Sequence, residues 1–145
     1  MANTEKPAAE YLGDMIAIFE QPDSHTKEQR ARDASGSTVD PQDPNACQWC
    51  LEGAGIKVGI LNKLGVVAYG PEPYLNKSNA WRFVRDEAMR RIMQGVKLQP
   101  NHGASIVSFN DAPEVTQTEI LDLLKAAQKE ARKHDNSTGL YKKPE

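Results

Sequence analysis

Four stretches of this chain carry apolar side chains at intervals of three and four residues, the spacing of one helix face, and this periodicity limits the fold more than any other feature. The first runs from Pro7 to about Phe19, with Ala8, Leu12, Met15, Ile16 and Phe19 in one stripe and Pro7 suited to the first helical position. The second is expected to open at Asp43 and Pro44 in "DPNACQWC", with Cys47, Cys50, Leu51, Ala54, Val58 and Leu61 on its apolar face. Gly53, Gly55 and Gly59 weaken a helix there, so either it breaks near Gly53 or another backbone packs closely against it, the reading preferred here.

The third helix is expected after Ser78, continuing to about Val96 with Trp81, Val84, Ala88 and Ile92 inward. The fourth has the clearest start. In "VTQTEI", Thr116 and Glu119 have capping-box spacing, and Val115 and Ile120 sit where a hydrophobic staple needs them. From there Ile120, Leu123, Leu124, Ala127 and Ala131 continue one stripe to about Arg132.

Between these helices, residues 20–43 hold almost no large apolar side chains, and "DASG" has the composition of a turn joining two short strands. "SIVSFNDAP", from Ser105 to Pro113, reads as a short strand over 105–109 that ends on Asn110 and Asp111. The expected architecture is α+β and mostly α: about four helices around one core, a hairpin near 29–39 and the strand near 105–109. The expected organisation is a disordered start at 1–5, a single globular domain at 6–133 with a long loop at 20–43, and a disordered tail at 134–145.

A chain of 145 residues with 39% hydrophobic and 26% charged side chains is ordinary for one soluble domain. Its net charge of −2 argues against a general nucleic-acid binder, which usually shows a basic excess. No stretch approaches the roughly 18 apolar residues of a membrane span, and the polar start lacks the pattern of a signal peptide. Two cysteines are too few for a disulfide framework, and the expected location is the cytoplasm.

A resemblance rests on "HTKEQRARD" followed by "ASG", then "ACQWCLEGA", then "SIVSFNDAP" ahead of the last helix. Ala31, Arg32, Asp33 and Gly36, then Cys50, Gly53 and Ala54, then Asn110 and Asp111, in that order, resemble a family of small bacterial and bacteriophage proteins catalogued as a domain of unknown function. Such proteins tend to carry tryptophan and glycine where His25 and Glu28 stand, and tryptophan in place of Phe109. The resemblance implies a mostly helical fold with small β elements and brings no established activity.

Several motifs have plainer readings. "CQWC" has the spacing of zinc and redox sites, yet only His25, His102 and His134 remain as further histidine ligands, and core packing of both cysteines is the preferred reading. No metal or cofactor is expected. "GAGIKVG" resembles a phosphate loop but lies within a helical pattern. Arg82, Arg85, Arg90 and Arg91 with Trp81 and Phe83 could hold nucleic acid, but Asp86 and Glu87 make this a solvated helix face first.

The candidate binding residues are Arg32, Asp33, Asn110 and Asp111, two polar pairs at the ends of short strands. The strand at 106–109 should lie beside the Arg30 to Asp33 segment, bringing Arg32 within reach of Asp33 or Asp111. The reading is a small binding or accessory protein acting through that surface, phage-related in origin as the resemblance implies, with an unknown protein or small molecule as partner and neither membrane nor nucleic acid expected. One alternative is a small-molecule binder or enzyme using the same cluster. A second is nucleic-acid binding through the Arg82 to Arg91 helix.

Overall fold

The computed structural model describes residues 6–67 and 74–138. In chain order the elements are α1 (Ala8–Phe19), β1 (Ala31–Arg32), β2 (Gln48–Trp49), α2 (Leu51–Lys57), α3 (Tyr74–Met93), α4 (Ile106–Asp111) and α5 (Gln117–Thr138). This is the expected mostly α, α+β architecture, with one more helix among the described residues than the periodicity announces. The buried apolar residues form one cluster to which all five helices contribute.

Three long helices make the frame, with α1, α3 and α5 packed against one another. The α1 and α5 stripes are buried as the spacing predicts. These two helices run antiparallel, since Gln117 at the start of α5 donates to Phe19 O while Asp135 near its end meets Ala8 and Ala9. Pro7 is the N-cap of α1 and supplies no side-chain hydrogen bond. The Asp135 carboxylate takes the free amides of Ala8 (3.3 Å) and Ala9 (3.0 Å) instead, a long-range cap at the positive end of the helix.

That contact explains why α5 continues to Thr138 instead of stopping near Arg132. Asp135 is 5% exposed, and the His134 ring lies edge-on to Phe83. The first residues of the expected 134–145 tail are therefore helical, while residues 1–5 and 139–145 lie outside the described residues. At its start α5 follows the sequence closely: Thr116 Oγ1 accepts the Glu119 N–H at 3.3 Å, and Val115 and Ile120 are both buried.

The second helix starts later than expected. Asp43 caps its own turn, accepting from Asn45 N–H, and the following residues join the sheet, β2 pairing antiparallel with β1 through Ala31 with Trp49 and Arg32 with Gln48. Only then does α2 begin, capped by the Cys50 sulfur, which accepts the Gly53 N–H at 3.2 Å. Cys47 is exposed, so of the two cysteines only Cys50 packs inward. Close packing at Gly53 is real: a Cβ there would stand 1.8 Å from the Arg30 carbonyl oxygen.

The hairpin expected near 29–39 is reduced to a turn. Asp33 N–H donates to Ser37 O and Gly36 adopts φ +86°, returning the chain to one bridge between Arg32 and Thr38. The third helix starts at Tyr74 and ends at Met93, with Ala80, Val84 and Ala88 fully buried.

The strand expected at 105–109 is a helix. Ser105 and Ser108 exchange hydrogen bonds in a capping box, opening α4. Ile106 and the four consecutive residues Ser108, Phe109, Asn110 and Asp111 are buried while Val107 is 43% exposed, so burial does not alternate as along a strand with one solvated face. A short β-branched run fits both periods, and the serine cap decides between them.

Candidate functional site

Because α4 is short, its last two residues are delivered into the interior at the point where the 24–28 loop and the start of α2 meet. Asn110 is 1% exposed and Asp111 7%. The Asn110 oxygen accepts from Leu51 N–H (3.1 Å) and faces His25 Nε2 (2.8 Å), while its nitrogen donates to Thr26 O (3.1 Å) and to Asp111 Oδ1 (3.0 Å). A backbone N–H can only donate, so the atom facing Leu51 is the oxygen, and His25 must present an Nε2–H to it. One amide thus ties together three segments far apart in sequence.

Burial is the main reason the His25 imidazole is held below its ordinary value; the Asn110 bond opposes this, Lys27 adds to it, and Asp111 opposes it. The ring also lies edge-on to Phe19. Asp111 Oδ1 accepts a further bond from Glu28 N–H at 2.9 Å, and Glu28 sits at φ +70°. That left-handed backbone, which suits glycine best, is held here by a charge-assisted bond.

Both bonds to the Asp111 carboxylate use Oδ1. Among the described residues no buried side-chain oxygen or nitrogen lacks a partner, so the unused Oδ2 opens to solvent. Asp111 is one wall of a groove of about 240 Å³ whose lining also includes Glu28, Arg30, Cys50, Glu52 and Val107. Arg30 is already engaged: Nε and Nη2 reach Glu52 Oε1 at 2.8 and 2.7 Å, and Nη1 and Nη2 donate to the Lys63 and Leu64 carbonyls. Three carboxylates and one guanidinium leave the lining negative. Burial pushes the Cys50 thiol up to about 11, so it stays protonated near neutral pH and is a poor nucleophile.

Arg32 and Asp33 do not join this cluster. Arg32 donates to Thr26 Oγ1 (2.9 Å), Gly36 O (3.0 Å) and Lys27 O (3.4 Å), and the expected ion pair with Asp33 or Asp111 is not formed. Asp33 Oδ1 accepts from Ser35 N–H, Ser35 Oγ and Ser37 N–H, which holds its carboxyl below the usual range, the Ser35 side chain contributing most. Asp33 borders a separate, wider hollow of about 500 Å³ with Asp23, Ser35 and Cys47. Thr26 links the two pairs, with its hydroxyl on Arg32 and its carbonyl on Asn110.

The sequence reading missed Glu28, Arg30, Cys50, Glu52 and Val107 as neighbours of Asp111. Their convergence comes from the β1–β2 pairing, which leaves no local signal, and from α4, whose only local signal is the Ser105 and Ser108 cap. Cys47 and Cys50 are both free, the first exposed and the second buried, on either side of strand β2. Among the described residues no group of three or more His, Cys, Asp or Glu is arranged to hold a metal ion. On α3, Arg90 and Arg91 both pair with the nearly buried Glu87, and Arg85 lies near Asp86.

Fold and groove together define a small, mostly helical α+β domain with a buried polar junction that opens on one side to an acidic groove. The chain belongs to the family of unknown function DUF6197, whose family model matches residues 3–130. No curated protein and no solved structure matches it. Among the described residues, no helix is long and apolar enough to cross a membrane.

Proposed function

We propose that this chain is a small cytosolic binding or accessory protein, of bacterial or bacteriophage origin, that holds its ligand in the groove beside Asp111. The observation that carries this reading is Asp111, 7% exposed and in the groove lining, with Oδ1 bonded by the protein and Oδ2 without a donor among the described residues. Asn110 fixes the walls, and Arg32 and Asp33 act at one remove by shaping the loop that leads into Glu28. The bacterial or phage setting follows the family likeness, and an exposed free thiol at Cys47 suits a reducing compartment.

Catalysis by the same cluster has less support, because the Cys50 thiol is neutral near pH 7 and the His25 Nε2–H is committed to Asn110. Binding of nucleic acid along α3 is weakened by the Glu87 pairing of Arg90 and Arg91. The test is a fragment screen read from backbone amide shifts of the full chain. Saturable binders should shift residues 28–30, 50–52 and 107–111. A screen whose binders all map elsewhere, or which yields none, overturns the proposal.

A further inference from the structure

We infer that the groove receives a guanidinium group, presented as the arginine side chain of a protein partner; this rests on the groove being the binding surface. The groove holds acceptors that the described residues leave unused. Oδ2 of Asp111 has no hydrogen-bond donor, the Glu28 carboxylate forms no bond, and Glu52 uses only Oε1. The one cation in the lining, Arg30, spends its N–H groups on Glu52 and two backbone carbonyls. An occupant that brings donors and positive charge is therefore favoured, whereas an anion would meet carboxylates.

The Asp111 carboxylate, 7% exposed with an open oxygen, has lost most of its hydration without gaining a full set of donors, and a charge-assisted bond there is stronger than one at the surface. At about 240 Å³ the groove falls below the roughly 300–1,000 Å³ of small-molecule sites and suits a single side chain. Val107, 43% exposed, and Cys50 offer apolar surface for a methylene stem.

The choice of guanidinium over ammonium follows from where the oxygens sit. They come from the 24–28 loop, from α2 and from α4, and a planar fork of N–H groups serves several fixed acceptors better than a point charge. Glu52 takes two nitrogens of Arg30 on Oε1 alone and leaves Oε2 as a further acceptor on this wall.

The test titrates the full chain with a blocked peptide carrying one internal arginine, following amide shifts at Glu28, Cys50, Val107 and Asp111. Matched peptides replace the arginine by citrulline or lysine, and free arginine is the small-molecule arm. The arginine peptide should bind at least about tenfold more tightly than its citrulline analogue, the loss expected from removing roughly 1.4 kcal/mol of charge-assisted bonding. It should also exceed the lysine peptide and free arginine. Glu28→Gln, at an exposed side chain without partners, should weaken binding several-fold with the fold intact, and Val107→Arg should block it. Equal binding of citrulline or lysine, tighter binding of free arginine, or no response to either variant would overturn the inference. If other fragments occupy the groove while the arginine peptide does not, this inference fails and the binding groove survives.

Discussion

Asp33 and Asp111 each follow a polar partner in sequence, and folding gives them very different reach. Asp33 closes its own turn, with every acceptor bond coming from residues two to four positions away. Asp111 and its neighbour Asn110 bond the backbone or side chains of His25, Thr26, Glu28 and Leu51, at separations of 59 to 85 residues. The first pair satisfies a loop that would be solvated anyway. The second replaces water at a buried junction, and the Leu51 N–H that it serves, on a fully buried residue, would be left without a partner if it were removed. Residue type alone therefore says little about energetic weight; sequence separation of the partners says more.

The sharpest way to break this comparison is Asn110→Ala. It removes four hydrogen bonds and strands Leu51 N–H and Thr26 O, which should cost about 3 kcal/mol in chemical denaturation. A loss below about 1 kcal/mol would mean that water replaces the amide and that the junction is no more demanding than the Asp33 turn.

A smaller effect sharpens the comparison through pH. Because His25 is held below its ordinary value of 6.5 in the fold, the unfolded chain binds a proton first as the solution is acidified. The stability this group contributes is complete above about 6.5 and is lost as pH falls toward the lowered folded value. His25→Gln keeps a donor for Asn110 and removes the titration, so its melting temperature should fall less than that of the parent chain between pH 7 and pH 5. Parallel curves would show that His25 is not part of a tight junction.

The smallest effect is expected for Asp33→Ala. Its bonds lie in an exposed turn, so thermal denaturation should show a far smaller loss than for Asn110→Ala, and amide shifts in the groove should remain near those of the parent chain. A loss rivalling that of Asn110→Ala would erase the distinction between local and long-range pairs.

The long helices were legible because each carries its own period and boundary chemistry. Ala8 to Phe19 and Ile120 to Ala131 announce their faces, and Thr116 with Val115 and Ile120 announces a start. The errors share a cause. "SIVSF" satisfies helix and strand patterns alike over five residues, and "DPNACQWC" holds a good cap at Asp43 that is used for a turn while Gln48 and Trp49 are drawn into pairing with Ala31 and Arg32. Asn110 and Asp111 could be named as candidates from their type, but their depth and partners could not, since these depend on α4 carrying them inward.

What the sequence determined by itself was the long amphipathic helices and the mostly α class, because periodicity and caps act over a few residues. What only the tertiary structure decided was which polar side chains became buried, that Arg32 would turn to Thr26 and not to Asp111, and that Glu28, Glu52 and Asp111 would face one groove. Those outcomes require segments tens of residues apart to meet, and a hydrogen bond between distant groups leaves no mark on the local pattern of either.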